Sequence, residues 1–174
     1  TFFFWGVGAQ GRVAVRRVGD MKEDTLVVHE IYRSVQGEST FAGLPCTFVR
    51  LTGCNLRCSW CDTPQAFHGG KRMRREEVLA QALALATPLV ELTGGEPLLQ
   101  PGVIPLLAAL CDAERTVLIE TSGEADVSRV DPRVHKIMDL KAPGSGESHR
   151  NRWSNLDHLT RRDEIKFVLA GRGD

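Results

Sequence analysis

Leu89-Val90-Glu91-Leu92-Thr93 is a short run of β-formers between two segments of helical periodicity, and its position decides the fold class. Upstream, Val78, Leu79, Ala82, Leu83 and Ala86 recur at helical spacing from Glu76 until Pro88 stops the helix. Downstream, Pro101 suits the first turn of a second helix through Val103, Ile104, Leu106, Leu107 and Leu110. Further strands are expected at 26–32, 46–51, 116–121, 134–140 and 165–170. Strand, helix, strand, helix, strand implies parallel crossovers, so the expected fold is α/β: a sheet or partial (β/α) barrel of mainly parallel strands. Chemistry in such folds gathers beyond the carboxyl ends of the strands. Four unusual segments fall there: Gly53 onward, Thr93-Gly94-Gly95-Glu96-Pro97, Glu120-Thr121-Ser122-Gly123 and Asp139-Leu140-Lys141.

The chain of 174 residues suits one domain, and its composition excludes disorder, collagen and coiled coil. Twenty-two basic side chains balance 22 acidic ones, which argues against nucleic acid or an anionic membrane as partner. No apolar run approaches the roughly 20 residues of a membrane span. A small-molecule partner is expected. Residues 1–20 stand apart: Phe2, Phe3, Phe4 and Trp5 precede Arg12, Arg16 and Arg17, the reverse of a secretory signal. They are read as a non-native extension, with Met21 as the native start and 21–174 as a single domain.

Five cysteines are present, an odd number, and three crowd into Cys54-Asn55-Leu56-Arg57-Cys58-Ser59-Trp60-Cys61. A disulfide framework shows an even, dispersed set, so these thiols read as reduced, cytoplasmic and metal-binding. CxxxCxxC lets a tight loop fold three thiolates around one centre. Structural zinc wants four closed ligands, whereas three cysteines on a [4Fe–4S] cube leave one iron open to a small chelating molecule. A Cys3His zinc knot using His68 is the duller alternative, and coincidence of three thiols duller still.

At these residues the sequence resembles the radical S-adenosylmethionine (SAM) superfamily. It is similar, further, to the 7-carboxy-7-deazaguanine synthase family through 34–39, 48–58, Trp60-Cys61-Asp62-Thr63, 92–97 and 120–123. The resemblance spans about 26–170 and implies a radical SAM type of partial barrel. It implies that Cys54, Cys58 and Cys61 hold the cluster and that SAM chelates the open iron. Trp60, Gly94, Gly95, Glu96, Ser122, Asp139, Leu140 and Lys141 would hold the rest of SAM. The glycines would let backbone approach the ligand, Glu96 would accept from an ammonium group, and Lys141 would offer a charge to a carboxylate. Substrate roles fall on Val35, Gln36, Gly37, Glu38, Arg50 and Thr93, a catalytic role on Glu120, and a Mg²⁺-ligating role on Thr63. The implied substrate is 6-carboxy-5,6,7,8-tetrahydropterin, whose edge suits Gln and Glu and whose carboxylate suits a bidentate Arg. An external electron donor such as a flavodoxin and a homodimer are implied too. Members of the family continue beyond the equivalent of Asp174, so a C-terminally truncated domain is expected.

Plainer readings stand beside these. Arg50 could pair with a nearby acid, Glu38 could be an ordinary loop residue, Thr63 could cap a turn, and Gly94-Gly95-Glu96-Pro97 could be only a strand-ending turn. Cys46 and Cys111 read as inert core thiols, Lys71-Arg72-Met73-Arg74-Arg75 as a solvated run, and 144–158 as a mobile loop over the site. The functional alternatives are a glycyl-radical enzyme activase and a non-catalytic metal-binding or electron-transfer module.

Overall fold

The structure, a computed structural model, describes residues 24–174. The reading of residues 1–20 and of Met21 lies outside the described residues. The elements are β1 (Thr25–Val35), β2 (Pro45–Leu51), β3 (Lys71–Arg74), α1 (Arg75–Ala84), β4 (Leu89–Gly94), α2 (Val103–Asp112), β5 (Thr116–Thr121), β6 (His135–Asp139) and β7 (Glu164–Lys166). They form a seven-stranded sheet in the order β3-β1-β2-β4-β5-β6-β7. From β2 to β7 every neighbouring pair is parallel, and the expected α/β class stands.

Strand side chains alternate between faces, and here the alternation separates packing from chemistry. Val49, Leu51, Val90, Leu92, Val117 and Ile119 pack with Val78 and Ala82 of α1 and Leu106, Leu107 and Leu110 of α2 into the main core. The intervening residues Cys46, Phe48, Leu89, Leu118 and Ile137 form a second apolar cluster on the opposite face. Continuing along that face, the same strands carry Arg50, Glu91, Thr93, Glu120 and Asp139 toward their carboxyl ends. Register aligns them across the sheet: Arg50 pairs with Thr93, Glu120 with Ile137, and Asp139 with Lys166. Helices on one face and a cavity on the other make this a partial barrel.

Several details differ from expectation, though β1, antiparallel to both β2 and β3, leaves the sheet mainly parallel as expected. Residues 36–44 are too few for a parallel return, which takes about a dozen residues or more. Lys71–Arg74 is an edge strand whose basic side chains are solvated, as expected; only Met73 is buried, so its alternation is masked by charge, as edge strands often are. Pro101 lies just before α2, with Gly102 as N-cap. The last strand stops at Lys166 instead of reaching 170. The 144–158 stretch is not a free loop but contains three 3-10 turns, Pro143–Ser145, Ser148–Arg150 and Trp153–His158. Buried Asn155 anchors it by donating to the carbonyl oxygens of Gly123 (3.0 Å) and Ala125 (2.8 Å).

Candidate active site

A cavity of about 480 Å³ opens at the carboxyl ends of the parallel strands, and all three clustered cysteines line it. Their loop leaves β2 through Gly53, whose φ of +103° turns the chain away from the sheet. The loop is fastened from outside. Asn55 donates to Glu124 (2.7 Å), the Arg57 amide to Glu147 (2.6 Å), and the Ser59 amide to the Ser145 carbonyl (3.0 Å). The Arg57 guanidinium also stacks over Phe67 at 4.4 Å. Burial pushes the Cys54 and Cys58 thiols above their ordinary range, and the Lys141 ammonium opposes that at Cys58. Burial pushes Cys46 up to about 12, as fits an inert core thiol. Cys111 is only partly buried.

Gly94 and Gly95 line the cavity, but the strict need for glycine comes from behind them. A Cβ on Gly94 would stand 2.2 Å from the Leu51 carbonyl oxygen, and one on Gly95 would stand 2.1 Å from that of Gly53 and 2.8 Å from Cys54 Cβ. The two loops are pressed backbone to backbone, so the glycines set where the cysteines sit. Gly95→Ala is therefore expected to displace the cysteine loop and lower the iron bound per chain severalfold, measured after anaerobic reconstitution. An unchanged iron content would show that the loop absorbs the methyl group.

Glu96 differs from expectation. It is 1% exposed and does not line the cavity. Its carboxylate accepts from the Leu98 amide (3.0 Å), the Thr121 hydroxyl (3.0 Å), and the Ser122 amide (2.7 Å) and hydroxyl (2.6 Å). As placed, it knits the β4 and β5 loops together. Leu140 is also buried off the cavity wall, and Val35 is 59% exposed at the end of β1. The cavity is lined by the remaining expected residues: Gln36, Gly37, Glu38, Arg50, Thr93, Trp60, Gly94, Gly95, Ser122, Asp139, Lys141, Glu120 and Thr63 with the cysteines.

Thr93, Glu120, Lys166, Glu38, Gln36 and Glu91 form one connected set on the wall, with Arg50 and Thr63 held separately. Arg50 donates to Glu30 (2.8 Å) and to the Tyr32 hydroxyl (2.9 Å), so it both pairs with an acid and faces the cavity. Thr93 donates to Glu120 (2.9 Å). Lys166 bridges Glu120 and Glu38, at 2.6 Å from the latter. Burial works against the Lys166 ammonium, but the two carboxylates outweigh it and hold its pKa above the usual lysine range. Gln36 donates to Glu91. Burial, helped by the charge of Glu120, pushes Glu91 up to about 8, so it is largely a neutral acid at pH 7. The Thr63 hydroxyl makes no turn cap and instead donates to Asp62 (2.9 Å).

Sequence reasoning missed Glu91 and Lys166. The signal for Glu91 was its position two residues before Thr93 on a strand, which puts both on one face. Lys166 had no local signal; only its pairing with Asp139 reveals it.

Residues 48–143 match the family model of the Radical SAM superfamily. The chain is 52% identical over 149 residues to the 7-carboxy-7-deazaguanine synthase of Koribacter versatilis, covering 84% of this chain and 66% of that one. It is 49% identical over 155 residues to the enzyme of the same name from Chlorobaculum tepidum, covering 87% and 70%. The chain belongs to the radical SAM superfamily, within the 7-carboxy-7-deazaguanine synthase family. It spans about two thirds of the length of these curated relatives. Among solved structures, QueE from Escherichia coli shares the fold, with a TM-score of 0.63 at 22% identity over 83% of this chain and 84% of that one.

Membership brings a [4Fe–4S] cluster and SAM as cofactors, and the site fits them. Three free thiols line one cavity. His68, the fourth ligand of the zinc alternative, is not on the cavity wall. Asp139 Oδ1 is buried beside the cavity without a hydrogen-bond partner, while Oδ2 takes the Lys141 ammonium at 3.0 Å. An orphaned acceptor next to a cation is a suitable cradle for an amino-acid or ribose group of SAM.

Proposed function

We propose that this chain converts 6-carboxy-5,6,7,8-tetrahydropterin to 7-carboxy-7-deazaguanine with loss of ammonia, a carbon–nitrogen lyase reaction of queuosine biosynthesis. The observation that carries it is one cavity holding three cysteines beside Gln36, Glu38, Arg50, Thr93 and Glu120. When bound, the reduced cluster and SAM supply an adenosyl radical that abstracts hydrogen from the substrate. The chain's own residues do the rest. Arg50 is oriented by Glu30 and Tyr32 to take the substrate carboxylate, while Gln36 and Glu38 face the pterin edge. Glu120 lines the cavity, held by Thr93 and Lys166, and its role in this reading is to move a proton to the departing nitrogen. A glycyl-radical activase would act on a protein, and this set of small-molecule donors and acceptors favours the pterin. Anaerobic incubation with SAM, a reductant and the pterin tests the assignment. A product with the mass of 7-carboxy-7-deazaguanine is expected, and cleavage of SAM without any new pterin-derived product would overturn it.

Thr63 and the neighbouring Asp62 place two hard oxygen ligands on the cavity wall, which supports Mg²⁺ there. A cation bridging protein to substrate would hold the reacting ring in one pose. Thr63→Ala is expected to leave cluster assembly intact but to lower product formation and blunt its Mg²⁺ dependence, with Thr63→Ser retaining much of both. If the Ala variant responds to Mg²⁺ as the parent does, the metal binds elsewhere.

The cleavage draws an electron from outside, so a donor such as a flavodoxin belongs to this assignment. Homodimer formation belongs to it too, with Val35 and Leu44 exposed at the β1–β2 connection. No described helix is long and apolar enough to cross a membrane. Five free cysteines support a reducing, cytoplasmic location.

A further inference from the structure

Glu91 is a carboxylic acid on the central strand of the sheet, 4% exposed, on the same face as apolar Cys46, Phe48, Leu89, Leu118 and Ile137. Burying a carboxyl group costs free energy unless it is hydrogen-bonded, and an apolar side chain would suit that floor better. Its side-chain partner is the Gln36 carboxamide, itself 4% exposed. Gln36 in turn is the knot of the 36–44 connection. Its Oε1 accepts from the Glu38 amide (3.1 Å), its own amide donates to the Leu44 carbonyl (2.9 Å), and its carbonyl accepts from the Gly43 amide (2.8 Å). Glu38 then reaches Lys166, which holds Glu120.

We infer that Glu91 is a positioning residue for the substrate pocket: it anchors Gln36 to the sheet and so fixes the 36–44 loop and the Glu38–Lys166–Glu120 chain. Two donors meeting would forbid the flipped Gln36 amide, because its NH₂ would then face the Glu38 N–H. The Glu38 N–H thus sets which way Gln36 presents its amide, with its NH₂ directed to Glu91. The neutral state of Glu91 near pH 7 agrees with this use, since it lets a hydrogen bond anchor the loop without a buried charge beside Glu120 and Glu38.

The inference rests on the pterin assignment only for the identity of the ligand, and two readouts keep the two apart. The variants are Glu91→Leu, which removes the acceptor at similar volume, and Glu91→Gln, which keeps an acceptor in a neutral side chain. The first readout is amide hydrogen exchange of the 36–44 segment in cluster-reconstituted protein without substrate. The second is the dissociation constant of 6-carboxy-5,6,7,8-tetrahydropterin, measured anaerobically without a reductant. Glu91→Leu is expected to speed exchange of 36–44 and weaken pterin binding, each about tenfold, the scale of one lost buried hydrogen bond. Glu91→Gln should recover most of both. Parent-like behaviour of Glu91→Leu, or equal impairment of both variants, would overturn the inference. If exchange responds as expected but even the parent fails to bind the pterin, the positioning role holds and the pterin assignment falls. Should Glu91→Leu not fold, Gln36→Met breaks the same bond from its other end. It also removes the acceptor of the Glu38 amide, so it must loosen 36–44 by at least the tenfold expected of Glu91→Leu, or the inference fails.

Discussion

Replacing any one of Cys54, Cys58 or Cys61 with Ala is expected to abolish the visible charge-transfer absorption of the reconstituted protein and all SAM cleavage. These thiols line the cavity together, and a cube that already lacks a protein ligand on one iron tolerates no further loss. Cys46→Ala and Cys111→Ala should leave the absorption in place. Cys46 is fully buried behind Glu91, its thiol pushed up to about 12, and Cys111 lies on α2, packed against the helix-covered core. If either of these abolished the absorption, the ligand set would be wrong. Cys46→Ala does carry a packing cost, of about 1 kcal/mol or more for a small buried side chain, readable as a lower melting temperature.

The second large effect is expected at Glu120. Glu120→Gln should lower product formation by about 10²–10⁴-fold, the usual scale of a lost proton-transfer group, while cluster absorption and SAM binding persist. The carboxylate is gripped from two sides, by the Thr93 hydroxyl at 2.9 Å and by Lys166. Gln keeps the shape and loses the charge that pairs with Lys166. A merely structural Glu120 would instead lower stability and substrate affinity with little change in kcat, and that outcome would remove it from the chemistry.

The strands and helices that carry the site were legible because each is either apolar throughout or periodic. β4 has both faces covered, so Leu89–Thr93 reads as a parallel central strand despite Glu91. β3 was hidden because three of its four residues are basic, and an edge strand needs only one buried face. The cysteine loop and glycine loop announce themselves by residue type. Their reason is visible only in three dimensions: Gly94 and Gly95 exist to admit the Leu51 and Gly53 carbonyls, and Glu96 turns inward to Thr121 and Ser122. Lys166 illustrates what sequence withholds. It lies far along the chain from Glu38 and Glu120, and only the β6–β7 register brings it between them.

The central claim is that this cavity rearranges a pterin using SAM as a cofactor rather than a consumed substrate. Loss of ammonia with ring contraction involves no net redox change, so return of a hydrogen to the product would restore SAM. Supplying 6-carboxy-5,6,7,8-tetrahydropterin anaerobically in large excess over SAM, with a reductant, and counting the 7-carboxy-7-deazaguanine formed puts this to the test. The account predicts many product molecules for each SAM present. Product that halts at one per SAM, or that never forms while SAM is cleaved, would contradict it.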